Sequence, residues 1–121
     1  MSSTFPASPP SKPLAIKHLE KARHNYKVYQ ELKNGTHYDW QAIVLFYTAM
    51  HLVQAYFVQV ASTGFDIPKE HDRRASLVHQ KLPPIGSDFE HLFKESMAAR
   101  YYLPKFRPNY GTLEHEQPSK A

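Results

Sequence analysis

The sequence predicts an all-α protein, an antiparallel bundle of four to five helices. Three observations carry this expectation. Apolar residues recur at helical spacing over four stretches, and no stretch alternates convincingly with a period of two. Proline and Asn-Gly breaks separate those stretches by short connections. Two tetrapeptides, Thr36-x-x-Asp39 and Ser87-x-x-Glu90, have the form of capping boxes.

The chain has 121 residues, enough for one compact domain. Residues 1–13, rich in Ser and Pro, read as a flexible segment that cannot pack a core. Residues 14–103 form the bundle, and residues 104–121, with prolines at 104, 108 and 118, form an irregular tail. Within the bundle the first helix is predicted over 14–33. Its Leu19, Ala22, Tyr26 and Tyr29 share one stripe, read as core, and Asn34-Gly35 stops it. The second is predicted over 38–63, from the Thr36 box to the residue before Gly64. The third runs over 70–82, from just after Pro68 to the Pro83-Pro84 pair. The fourth runs over 88–103, from the Ser87 box to Pro104.

The second helix is the spine. Gln41, Thr48, His51, Ala55, Gln59 and Ser62 fall on one narrow stripe at 100° per residue, and most other positions are apolar. Those polar interruptions mark a buried helix of a soluble bundle and not a membrane span. So wide an apolar surface exceeds what three neighbours cover, so a homodimer is expected. The chain has no cysteine, which makes a reducing, cytoplasmic compartment the default and excludes disulfides and thiolate metal ligands. No signal-peptide core is seen in the first residues.

Ionisable groups at inward positions are the candidates for chemistry. On the third helix His71 and Arg74 share a face with Ala75, Val78 and Leu82. Arg100 shares a face of the fourth helix with Phe89, Phe93 and Ser96. Together with His51 they make a candidate binding set. The ordinary role of each is structural: a hydrogen-bonded core histidine, or an arginine tied to carbonyls or to a carboxylate such as Asp39, Asp72 or Glu95. Arg74 and His79 are a candidate catalytic pair, the imidazole serving a 2′-hydroxyl as acid or base and the guanidinium stabilising a phosphorane. Five residues apart on a regular helix, they point about 140° apart, so one chain would need an irregular helix to bring them together. The formal net charge is +4 with eight histidines uncounted. Lys17, Lys21, Arg23, His24 and Lys27, with Arg73, Arg74 and Lys81, could offer an anion a surface. With only four glycines there is no phosphate-cradling loop, and no His-Glu-x-x-His motif is present. His51, His71 and His79 have no spacing that favours a metal, so no metal or cofactor is expected.

Three stretches together resemble a HEPN domain, the nucleotide-binding helical domain of higher eukaryotes and prokaryotes. "LFYTAMHLVQAYF" is similar to the family's second helix, "EHDRRASLVHQKL" to its His-x-x-Arg third helix, and "LFKESMAARYYL" to its closing helix. The likeness spans about residues 14–103. It implies a bundle that commonly dimerises and works in prokaryotic toxin–antitoxin, defence or RNA-processing systems. In catalytic members an Arg-x4-6-His motif cleaves RNA without metal, and here that motif falls on Arg74 and His79. The polar residue expected after the arginine is Ala75, and Lys81 stands where a tyrosine is usual. His51, His71, Arg73 and Arg100 would then bind RNA or a nucleotide. The alternative is a non-catalytic dimeric module that holds a partner protein.

Overall fold

The computed structural model describes residues 10–61 and 67–101. Four helices account for nearly all of them: α1 (Pro13–Leu32), α2 (Tyr38–Val60), α3 (His71–Lys81) and α4 (Pro83–Tyr101). No strand occurs among the described residues. The extensive helix contacts are α1 with α2, α2 with α4 and α3 with α4. The all-α bundle read from the sequence is therefore the architecture, with four helices in the described residues.

Neither capping box caps a helix. The residue before α2 is His37, with no side-chain cap, and Thr36 stays exposed. Ser87 and Glu90 lie inside α4, which opens at Pro83, five residues before the expected start. The proline pair ends α3 and also begins α4. Proline's fixed φ suits a first helical turn, where its missing N–H would lack an intrahelical partner anyway. The turn between the two helices is correspondingly tight, with Ile85 N–H donating to Leu82 O at 3.0 Å. At its other end α2 stops at Val60, where Ala61 turns extended (ψ 138°). Positions 62–63 and 102–103, expected to be helical, lie outside the described residues.

The polar stripe of α2 is its seam with α1. At one end the Gln41 amide donates to Leu32 O (2.9 Å) and Gly35 O (3.2 Å), satisfying carbonyls where α1 runs out. At the other end Gln59 Oε1 accepts from the N–H groups of Ser11 and Lys12, both at 2.9 Å, where α1 begins. Two glutamines, about five turns apart, thus fix the register of the antiparallel pair. They also tie down Ser11 and Lys12, which the sequence alone assigns to a free leading segment. Thr48 satisfies its own helix at Val44 O.

The apolar core lies on another side of α2. Phe46, Met50, Val53 and Phe57 pack against Ala75, Val78 and Leu82 of the α3 segment and Phe89 of α4. Phe46, fully buried, has four ring neighbours within 5.6 Å: Tyr47, His71, Phe89 and Phe93. By length and composition α2 is apolar enough to cross a membrane. Here Phe46, Met50, Val53 and Phe57 join the bundle core, and Gln41 and Gln59 clamp α1. Tyr26 of α1 departs from the core reading, being 46% exposed and stacked on Tyr29.

Candidate functional site

On α2, Tyr47 and His51 are one turn apart and face the space between α1 and α3. His18 of α1 meets them from one side: its Nδ1 lies 2.9 Å from Nδ1 of His51. Only one proton fits on that line, so at most one of the two rings donates and the other must be bare at Nδ1. The partner of His51 is therefore His18 on α1. His18 is legible in hindsight, since it falls between the buried Ala15 and Ala22 on the inner stripe of α1.

From the other side come His71 and Arg74. Arg74 Nη1 donates to His71 Nδ1 at 2.7 Å, and Nη2 to Lys69 O at 3.4 Å. A guanidinium only donates, so His71 is neutral here with its proton on Nε2. The side chain of Arg74 is in a buried residue, 4% exposed, and its Nε has no partner. No carboxylate pairs with it among the described residues. Arg100 of α4 completes the set. It donates to Tyr47 Oη at 3.2 Å and to Ser96 O at 3.3 Å, and its guanidinium sits 5.7 Å from the Tyr47 ring centroid. The Tyr47 ring in turn stands edge-on to His71, with centroids 6.0 Å apart. All four helices thus contribute to one polar cluster.

Its electrostatics run mostly one way. Burial, then the charges of His18, Lys21 and Arg74, press the His51 pKa from 6.5 down to about 4. Burial and then Arg74 and Lys21 lower that of His18. Burial, Arg74 and Arg100 lower that of His71, with Asp72 opposing. Burial also weakens the hold of Arg74 on its proton. The cluster therefore presents neutral imidazoles around cations that no carboxylate pairs with among the described residues.

A pH dependence of stability follows. Unfolded chains take up a proton at a histidine near the ordinary value of 6.5, whereas folded His51 stays bare until about 4. Between those values the unfolded state binds more protons, so the contribution of His51 to stability is lost as pH falls from about 6.5 toward 4. Thermal melts over this range should show that decline in the native protein and a shallower one in His51→Gln.

Two other residues of the sequence-derived set lie elsewhere. His79 is on the exposed side of α3, with Nε2 2.7 Å from Glu90 Oε1. Its ring rests on the bare backbone of Gly86, where a Cβ would collide with Nδ1. Arg74 turns inward to His71, so Arg74 and His79 do not converge within one chain. Arg73 is exposed, on the rim of a shallow depression with Asp72 and Ser76. His51, His71, Arg74 and Arg100 are brought into the cluster, joined by His18 and Tyr47. Comparison of the chain with protein-family models, curated proteins and solved structures gives no match.

Proposed function

We propose that the protein is a HEPN-like RNA- or nucleotide-binding domain whose polar cluster holds a phosphate group. The observation that carries the reading is Arg74: a buried guanidinium, paired with a neutral imidazole, with one N–H unsatisfied. A buried cation without a carboxylate is costly, and an anion brought near it relieves that cost. Among the described residues Arg100 has no carboxylate partner either; its neighbours are a phenol, a carbonyl and a thioether. His18, His51, His71 and Arg100 are part-exposed and can offer N–H donors to a phosphate, with Arg74 behind them as fixed charge. An anion seated there stabilises the imidazolium forms, so binding should draw in protons below about pH 6.5.

The separation of Arg74 from His79 favours binding over strand cleavage by that pair in a single chain. Fluorescence anisotropy of a labelled 20-nucleotide RNA, in EDTA, tests the reading. The expected result is binding that needs no metal and weakens with salt, with log K falling by about 0.7 per log unit of salt for each phosphate engaged. His79→Ala should bind as the native chain does. Absence of binding at low salt would overturn the proposal.

A further inference from the structure

The opposite side of α2 carries a different feature. Leu45, Ala49, Leu52 and Tyr56 line a strip between α1 and α4, two helices that make no extensive contact with each other. Two depressions lie along it, of about 730 and 330 Å³, and they share Leu19, Ala49, Leu52 and Leu92. They form one apolar groove, floored by α2 and walled by α1 and α4. In its middle Leu52 is 45% exposed. From Leu45 to Tyr56 the floor runs on the order of 16 Å, the length of a three-turn helix.

The walls are charged unequally. On α1 Arg23 and Lys27, one turn apart, line the groove near Leu45. The α4 wall brings Asp88, at the other end, beside Tyr56. We propose that this groove docks a single amphipathic α-helix of a partner protein, with an apolar stripe on the α2 floor. Acidic residues one turn apart on its edge would face Arg23 and Lys27. A helix fits because a concave trough accepts a convex cylinder at ordinary helix-packing distance. A second copy of this chain would meet the trough with an equal trough and leave a void between them. The polar cluster lies on the far side of α2, so docking here is independent of phosphate binding there.

Two labelled 16-residue helical peptides with the same leucine stripe test this against the full chain. One carries glutamates along one edge and the other lysines at the same positions. By anisotropy the glutamate peptide should bind about tenfold or more tighter. Arg23→Glu with Lys27→Glu should invert that order. Leu52→Asp, at a half-exposed site that leaves the fold intact by circular dichroism, should abolish binding of both. Equal affinities, no binding of either, or binding unaffected by Leu52→Asp would overturn the proposal. So would a native dimer that Leu52→Asp turns into a monomer, which would give the groove to a second copy.

Discussion

Arg74→Met is expected to cost phosphate-ligand affinity and to leave the protein as stable as before, or more so. The two effects have one source. Arg74 is 4% exposed and, among the described residues, lacks a carboxylate partner and leaves Nε unsatisfied. Replacing such a charge by an apolar side chain of similar length removes a desolvation cost and is often neutral or stabilising by about 1–4 kcal/mol. In a domain of this size each kcal/mol moves the melting temperature by roughly 4–8 °C. The same change removes the charge that acts on His18, His51 and His71. Loss of that fixed charge behind the donors should weaken RNA binding by about tenfold, or about 1.4 kcal/mol. Calorimetry and anisotropy on the same sample separate the cases. A purely structural Arg74 would give the reverse: a lower melting temperature with binding per folded molecule unchanged.

Phe46→Ala should be the most damaging single substitution in the core. The ring is fully buried and in contact with rings from α2, α3 and α4, so no neighbouring helix can collapse into the space alone. Phe-to-Ala changes at such sites cost about 3–5 kcal/mol. Whole domains have only about 5–15 kcal/mol in hand, so much of the variant's stability would be gone. Chemical denaturation should show the midpoint shifted far down at a near-constant slope. Because Phe46 also packs against His71, 5.4 Å between centroids, the variant should loosen the polar cluster as well. A midpoint close to that of the native chain would mean that the core is not centred on this ring.

The bundle was legible because its signals are local. Apolar spacing, Asn34-Gly35 and the proline pair act within a few residues, and the resulting helices lie close to where those marks put them. The start of α4 was misplaced because Pro83-Pro84 carries two meanings, stop and start, and sequence order alone does not choose between them. The inward turn of Arg74 beside His71 was readable from their one-turn spacing. The partner of His51 was not. It depends on how α1 slides along α2, and that register is set by Gln41 at the connected end and by Gln59 at the other, where Gln59 contacts Ser11 and Lys12, far away in sequence. For the same reason nothing in the sequence singles out Tyr47, which links Arg100 to the His71 ring. The separation of Arg74 and His79, by contrast, follows from helical geometry and could be anticipated.

Binding of phosphate at the four-helix cluster is the central claim, and the histidine rings report on it directly. In protein labelled with ¹⁵N at histidine, a titration with adenosine monophosphate should shift the ring signals of His18, His51 and His71 together and saturably. Their protonation midpoints should rise, while the ring signals of exposed His24, His37, His79 and His91 do not respond to the nucleotide. Saturable shifts confined to those exposed rings, or no shift at His18, His51 and His71 at millimolar nucleotide, would contradict it.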